Sequence, residues 1–122
     1  MKKIAAALLM LMAFTVSPAL AQQKGDWVLA RWKGDVFWFP GVIGAVEQNE
    51  IVVLYDDGTW EKRPANDVKP YDWRPGSRVE CDWKAGGRWY PGKIVAADGA
   101  NLSILYDDGD KENTRTGRCR SR

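Results

Sequence analysis

The chain of 122 residues contains no histidine and only two cysteines. The absence of histidine removes the side chain that enzymes use most often as a general acid or base. Two cysteines without histidine do not complete the four-ligand set of a structural zinc site. No serine or cysteine has a plausible base nearby, and the paired acids Asp56 and Asp57 belong to a predicted turn rather than to a cleft. The sequence therefore predicts a protein without enzymatic activity, cofactor or metal.

Long apolar runs are also scarce, with one exception at the N-terminus. Lys2 and Lys3 precede an apolar run over residues 4–16, and residues 19–21 read Ala-Leu-Ala, a small-residue cleavage pattern. This order is typical of a secretory signal peptide. The run is shorter than the about 20 apolar residues that span a bilayer. We expect cleavage after Ala21 and export of residues 22–122 to the periplasm or the exterior.

The expected mature region carries no net charge. All 16 acidic residues follow residue 21, as do 16 of the 18 basic residues, so its formal net charge is zero. A neutral region has no overall field that attracts nucleic acid. Four arginines, Arg115, Arg118, Arg120 and Arg122, make the C-terminus basic. Such a tail can bind phosphates, and a solvated chain end is the alternative interpretation.

An internal repeat organises the rest of the chain. A shift of 51 residues superimposes its two halves without gaps. The matched residues are Trp32-Lys33 with Trp83-Lys84, Trp38-Phe39-Pro40-Gly41 with Trp89-Tyr90-Pro91-Gly92, Leu54-Tyr55-Asp56-Asp57-Gly58 with Leu105-Tyr106-Asp107-Asp108-Gly109, and Glu61 with Glu112. We assign residues 22–69 to repeat 1 and residues 76–122, with the basic tail, to repeat 2. Residues 70–75, with a proline at each end, are predicted to be a short, stiff linker.

Each repeat has the pattern of a meander of short strands. In repeat 1, strands are predicted over residues 27–32, 38–46, 51–55, 59–63 and 66–68. Asp56-Asp57-Gly58 is a strong hairpin turn, and Pro40-Gly41 permits a bulge or bend near the start of the second strand. No segment has a helical periodicity of useful length. The chain is therefore predicted to be all-β, with two tandem, five-stranded, SH3-like barrels.

The repeated motif resembles the Tudor and Agenet modules of the Royal family. It consists of a tryptophan, an aromatic residue seven positions later, a glycine two positions after that, and then a strand ending in a Tyr-Asp-Asp-Gly turn. The resemblance covers both repeats. It implies a Tudor-like barrel with an aromatic cage for methylated lysine or arginine.

The resemblance also implies which residues form each cage. They are Trp32, Phe39, Tyr55 and Asp57 in repeat 1, and Trp83, Tyr90, Tyr106 and Asp108 in repeat 2. A fourth aromatic often follows in the family, where this chain has Thr59 and Asp110, so we expect cages that are open on one side. In an antiparallel meander these positions all fall at one mouth of the barrel, where aromatic faces attract a cation. The alternative is that the aromatics fill the barrel core and the acids cap their turns.

The two cysteines fall on matched strand positions of repeat 2. Cys81 corresponds to Ala30 in the first strand of repeat 1, and Cys119 corresponds to Val68 in the last strand. In this barrel type the last strand lies beside the first. We therefore expect a Cys81–Cys119 disulfide, which suits an exported protein. Two free buried thiols are the alternative.

Three functional hypotheses follow from the sequence. The leading one is an exported binding module for a cationic ligand, either methylated lysine or arginine or a quaternary ammonium, or for a peptide, with protein or peptide partners. The second is a structural or adaptor protein of the cell envelope that docks a protein or the cell wall. The third is nucleic-acid binding, which the zero net charge and the two acidic turns disfavour.

Overall fold

The computed structural model describes residues 22–122. The predicted signal peptide lies outside the described residues. The strands of repeat 1 are β1 (Trp27–Arg31), β2 (Trp38–Val46), β3 (Glu50–Tyr55), β4 (Trp60–Pro64) and β5 (Val68–Pro70). The strands of repeat 2 are β6 (Arg78–Asp82), β7 (Trp89–Asp98), β8 (Asn101–Tyr106), β9 (Lys111–Arg115) and β10 (Cys119–Arg120). Within the described chain, no helix has the length and apolarity needed to cross a bilayer.

Each repeat forms one five-stranded antiparallel sheet. The strand orders are β4-β3-β2-β1-β5 and β10-β6-β7-β8-β9. Four strands follow one another as a meander, and the fifth returns to pair with the first. This is the strand order of a small SH3-like barrel, so the predicted all-β fold with two tandem five-stranded units is confirmed.

The fifth strand of repeat 1 begins later than the sequence pattern predicts. Ala65–Asp67 form a 3-10 turn, and β5 starts at Val68. The carboxylate of Asp67 lies in this turn and accepts hydrogen bonds from Arg63 and Arg31, at 2.5 and 2.8 Å. Both guanidinium groups, Arg63 foremost, hold the pKa of Asp67 below its ordinary value. These hydrogen bonds hold residues 65–67 in the 3-10 conformation. Residues 66 and 67 are therefore not part of the strand.

Glycine in the second strand of each repeat allows two strands to approach closely. A Cβ on Gly41 would lie 2.5 Å from the carbonyl oxygen of Leu54, and one on Gly92 would lie 2.7 Å from that of Leu105. The irregularity in the pairing of β2 with β3 lies beyond Pro40-Gly41, between Ile43 and Ala45. The glycines at positions 41 and 92 are therefore required by contact across the sheet.

Strand β1 contributes to the cores of both repeats. Successive side chains of a strand point to opposite faces. Val28 and Ala30 are buried in the core of repeat 1, whereas Leu29 between them is buried in the core of repeat 2. Trp73, from the segment between the repeats, joins the repeat-2 core, and its indole N–H donates to the hydroxyl of Ser121 at 3.1 Å. The two repeats are thus packed directly against each other.

Backbone pairing also crosses from one repeat to the other. The N–H of Trp38 at the start of β2 donates to the carbonyl of Ser121 at 2.7 Å, and the N–H of Ser121 donates back at 3.0 Å. Ser121 follows β10, so one residue near the C-terminus of repeat 2 pairs with the first residue of the second strand of repeat 1.

The predicted disulfide is confirmed. Cys81 in β6 and Cys119 in β10 are bonded, and they are direct partners in the register of the two strands. Both cysteines are fully buried. The bond ties the last strand of repeat 2 to its first strand.

Candidate functional site

Four predicted site residues of repeat 2 line one cavity. Trp83, Tyr90, Tyr106 and Asp108 surround a space of about 130 Å³, together with Asp110. We call this space the repeat-2 mouth. Pockets for whole small molecules have volumes of about 300–1,000 Å³. The repeat-2 mouth is therefore of a size to hold one side-chain head group rather than a complete ligand.

The aromatic residues of the repeat-2 mouth differ in exposure. The rings of Trp83 and Tyr90 lie 6.4 Å apart and nearly perpendicular, at 85°. Tyr90 is 39% exposed, whereas Tyr106 is 3% exposed. Tyr106 thus supports the barrel core as well as lining the cavity. Tyr90 is the ring that can be altered with least effect on the core.

The strand ends explain why these side chains meet. Trp83 begins the 3-10 turn that follows β6, and Tyr90 lies at the start of β7. Tyr106 ends β8, and Asp108 lies in the turn after it. Because β6, β7 and β8 are antiparallel neighbours, the end of β6, the start of β7 and the end of β8 fall at one edge.

Glu112 connects the wall formed by Tyr106 with the turn that carries Trp83. The sequence patterns did not predict this role. Its two carboxylate oxygens accept the phenol of Tyr106 at 2.6 Å and the backbone N–H of Lys84 at 2.9 Å. Lys84 follows Trp83 and has a left-handed backbone, with φ of 52°. Burial and the bond to Glu112 raise the pKa of the Tyr106 phenol. The signal that could have found this role was the matched glutamate, Glu61, at the same position of repeat 1.

Glu61 has the same function in repeat 1. It accepts the phenol of Tyr55 at 2.8 Å and the backbone N–H of Lys33 at 2.9 Å. Burial and this hydrogen bond raise the pKa of Tyr55. The two repeats therefore hold their tyrosine and their tryptophan-bearing turn by one shared arrangement.

The acids of the two Asp-Asp-Gly turns also cap the backbone. The carboxylate of Asp108 accepts the N–H of Asp110 at 2.9 Å, and that of Asp57 accepts the N–H of Thr59 at 3.0 Å. Asp108 lines the repeat-2 mouth as well. The side chain of Asp108 thus both caps the turn and lines the cavity.

The predicted site residues of repeat 1 lie in a different environment. Tyr55 is in edge contact with Trp32 at 5.4 Å and with Phe39 at 6.5 Å. Phe39 is also covered from the other repeat, where the ring of Trp89 lies 6.1 Å away. The three aromatics are therefore brought together, and one of them is part of the contact between the repeats.

Asp57 lines a groove between the two repeats. This inter-repeat groove has a volume of about 480 Å³ and is lined by Trp27, Val42, Asp56, Asp57, Ala100, Arg115, Thr116, Gly117 and Arg118. Its acids come from repeat 1 and its arginines from repeat 2. Trp27 is 49% exposed, and the edge of its ring contacts Tyr71 at 5.4 Å. A comparison of one repeat with the other could not reveal this groove, because it exists only where the two meet.

Each leading tryptophan already accepts a cation from its own repeat. The ammonium of Lys84 lies 4.8 Å from the ring of Trp83, and that of Lys33 lies 5.4 Å from the ring of Trp32. These distances are within the about 6 Å over which a cation is attracted to an aromatic face. The rings are thus oriented so that an ammonium group can reach them.

Part of the basic C-terminus makes contacts within the fold. Arg120 in β10 pairs with Glu80 at 2.9 Å, and its guanidinium lies 3.6 Å from the ring centre of Phe37 and 4.3 Å from that of Trp89. Over residues 22–122, the structure has no group of three acidic, histidine or cysteine side chains that could hold a metal ion.

Among solved structures, tandem Agenet domains are similar to this chain at low sequence identity. No family model and no curated protein matches the chain. The tandem Agenet domain 3-4 of ADCP1 is similar over 82% of this chain and 79% of that one, at 14% identity and a TM-score of 0.38. The AGD34 region of Arabidopsis thaliana AGDP1 is similar over 82% of each chain, at 15% identity and a TM-score of 0.41. At these values the matches are reported as similarities only, and function is inferred from this chain's own residues.

Proposed function

We propose that the protein is an exported, non-enzymatic binding module whose repeat-2 mouth takes a cationic head group. The ligand class is an alkylated ammonium or guanidinium, as on a methylated lysine or arginine side chain. The observation that supports this most is the convergence of Trp83, Tyr90, Tyr106 and Asp108 on one cavity of head-group size. Aromatic faces attract a cation through their quadrupoles, and a carboxylate adds a partner of opposite charge.

A single mouth of this kind binds weakly. Each aromatic face contributes about 0.5–2 kcal/mol, and a millimolar dissociation constant corresponds to about 4 kcal/mol. In repeat 1, Phe39 is engaged by Trp89, so we assign the stronger site to repeat 2 and a weaker one to repeat 1. A ligand that presents two cations at the right spacing gains from the effective concentration of the second.

The proposal is tested by NMR titration of the ¹⁵N-labelled protein with methyl-lysine, methyl-arginine and choline. We expect shifts at the indole N–H of Trp83 and the amides of Asp108 and Asp110. Tyr90→Leu is expected to abolish these shifts, because it removes an exposed ring from the mouth. Trp60→Leu, which removes an exposed ring of repeat 1 that does not line the repeat-2 mouth, serves as the control and leaves them in place.

The proposal fails if none of these cations moves the named resonances while the protein remains folded. The aromatics would then serve packing alone. Tyr90 suits this test because its exposure leaves the repeat-2 core intact when the ring is removed.

Docking of a protein segment is a second candidate, and the inter-repeat groove favours it. The groove presents acids on one wall, arginines on the other and an exposed tryptophan, Trp27. Complementary charge placement of this kind suits an extended peptide that carries both signs. Peptide selection on the wild-type protein, with counter-selection on Trp27→Ala, should enrich mixed-charge segments. Enrichment without a charge pattern, or equal capture by the variant, contradicts this candidate.

A further inference from the structure

An apolar row crosses the outer face of the repeat-1 sheet. Four residues, one on each of the strands β1 to β4, are direct partners in the strand register, namely Trp27, Val42, Leu54 and Trp60. Direct partners in antiparallel strands point to the same face of the sheet. Val42 is half-buried, whereas Trp27, Leu54 and Trp60 are 49%, 43% and 60% exposed. We call these four side chains the outer row.

The fold itself does not require an apolar outer row. The equivalent positions of repeat 2 are also direct partners, and three of the four are basic: Arg78, Lys93, Leu105 and Lys111. Both repeats nevertheless form the same five-stranded sheet. An exposed apolar row that one repeat has and the other lacks therefore indicates a contact surface.

The outer row continues into the inter-repeat groove at one end. Trp27 and Val42 line this groove, which at about 480 Å³ has room for a large aromatic side chain. The other end of the row is Trp60 on β4, the edge strand of the sheet. Each molecule thus presents an exposed tryptophan at one end of the row and a groove at the other.

We propose that the outer row binds a second copy of this chain, with Trp60 of each copy placed in the groove of the other, against Trp27. The row has a tryptophan at each end and an aliphatic residue at each inner position, so it is nearly the same in reverse. A two-fold axis parallel to the strands brings Trp27 of one copy to Trp60 of the other, and Val42 to Leu54. This is a self-complementary interface between aligned sheets. The inference goes beyond the proposed function and does not depend on cation binding.

The charges beside Trp60 match those of the groove. Asp57 precedes Trp60 in the β3–β4 turn and is exposed, and Lys62 follows it on the same face of β4. The groove has the acids of repeat 1 on one wall and Arg115 and Arg118 of repeat 2 on the other. A segment that carries both signs can therefore be oriented in the groove by opposite charges.

The size of the row indicates a reversible dimer. A tryptophan side chain buries about 150–250 Å² when it is fully covered, and both tryptophans of the row are already about half covered. The outer row thus offers a few hundred Å² per copy, less than the about 800 Å² per partner of a standard stable interface. We therefore expect association that depends on protein concentration.

The experiment is sedimentation equilibrium of the protein from about 10 μM to about 1 mM, the range expected for a small interface. The average mass should rise toward twice that of the monomer. Trp60→Thr and Trp27→Thr are each expected to weaken association at least about tenfold, because buried tryptophans dominate interface energies. Val46→Thr is the control, since Val46 is an exposed residue of β2 outside the row. It should leave the association unchanged.

A mixture of the two tryptophan variants tests the arrangement of the copies. Each variant alone damages both ends of its dimer, because each contact pairs Trp27 with Trp60. In a dimer of one Trp60→Thr copy and one Trp27→Thr copy, one end carries both changes and the other end keeps both tryptophans. The equimolar mixture should therefore associate more strongly than either variant alone. Circular dichroism establishes that each variant is folded.

Two results would overturn the proposal. One is a protein that stays monomeric at the highest concentration, and the other is a mixture that associates no better than its components. Sedimentation of a monomeric protein with phosphatidylcholine vesicles, lost in Trp60→Thr, would assign the row to a lipid surface instead of a second copy. None of these results concerns the NMR titration at the repeat-2 mouth, so failure of the dimer is distinguishable from failure of the proposed function.

Discussion

Thr116 in repeat 2 donates its hydroxyl to the carboxylate of Asp56 in repeat 1, 60 residues earlier in the chain. Thr116 is 2% exposed. The next residue, Gly117, is so close to the backbone of Asp56 that an added Cβ would lie 3.0 Å from its carbonyl oxygen. With Leu29 buried in the second core, these contacts lead us to expect that the two repeats unfold as one cooperative unit.

We predict that Thr116→Val lowers the free energy of unfolding by about 1–2 kcal/mol, because the shape is kept and a buried donor to a charged acceptor is lost. The whole protein should still unfold in one transition. Calorimetry checks both points, since the calorimetric and van't Hoff enthalpies agree for a two-state protein.

Thr114→Val is the control for this change. Thr114 is a half-exposed residue of β9, and the same substitution there should alter stability by less than about 0.5 kcal/mol. Two separate transitions in the wild-type protein would show that the repeats unfold independently.

The disulfide is predicted to stabilise the protein by about 4 kcal/mol. It joins residues separated by 38 positions, and the chain-entropy model assigns this order of stabilisation to such a loop. The double variant Cys81→Ala/Cys119→Ala should lose that amount of unfolding free energy in denaturant titrations. A change in the dependence of this free energy on denaturant concentration would report a change in the denatured state.

Mass spectrometry of protein recovered from the cell envelope should find the two cysteines bonded and the N-terminus at Gln22. A free thiol at either position contradicts the first expectation.

The repeat made much of the fold predictable. Because two copies match without gaps, strands found in one predict strands in the other, and the positions of Ala30 and Val68 predicted the pairing of Cys81 with Cys119. The predicted start of β5 was wrong, since the 3-10 turn before it depends on the bond from Arg31 to Asp67, which joins residues 36 positions apart.

The packing between the repeats was not predictable in this way. A comparison of the copies states which residues are equivalent, but it gives no information on how the copies contact each other. Three features depend on this contact and could not be predicted. They are the burial of Leu29 in the second core, the bond from Thr116 to Asp56 and the inter-repeat groove. In the sequence, Asp110 stands where the family often has a fourth aromatic. That its side chain lines the cavity depends on the geometry of the turn, which the sequence does not give.

We predict that the free energy of unfolding falls above pH 10. Burial, followed by the charges of Asp56 and Asp72, raises the pKa of Tyr71 from 10.0 to about 12. The folded state thus favours the protonated phenol. This contribution is complete below pH 10 and is lost as the pH rises toward 12, because the unfolded chain releases the proton first. Denaturant unfolding at a series of pH values checks the slope.

Tyr71→Phe isolates the part of that loss that is due to this residue. The phenol oxygen of Tyr71 is buried and has no hydrogen-bond partner among the described residues. The variant keeps the ring that contacts Trp27 and Trp73. It should raise stability by about 1 kcal/mol at neutral pH and flatten the decline above pH 10. A lower stability in the variant would indicate that the phenol has a partner.

The last prediction concerns Glu112 as a positioning residue for the repeat-2 mouth. Its two oxygens hold the Tyr106 phenol and the backbone N–H of Lys84, so Glu112→Gln replaces one acceptor with a donor and releases one of the two walls. We expect the affinity for a monomethyl-lysine ligand at this mouth to fall about three- to tenfold, equivalent to about 0.7–1.4 kcal/mol. Glu61→Ala is the matched variant, because Glu61 accepts the same two groups in repeat 1, both on one oxygen that a glutamine would retain as an acceptor. Both variants should lose stability, since each breaks bonds of this kind, but only Glu112→Gln should weaken binding measured at the Trp83 indole. Equal loss of affinity in both variants would mean that the effect is one of general stability, and no loss in either would mean that the walls of the mouth are held by packing alone.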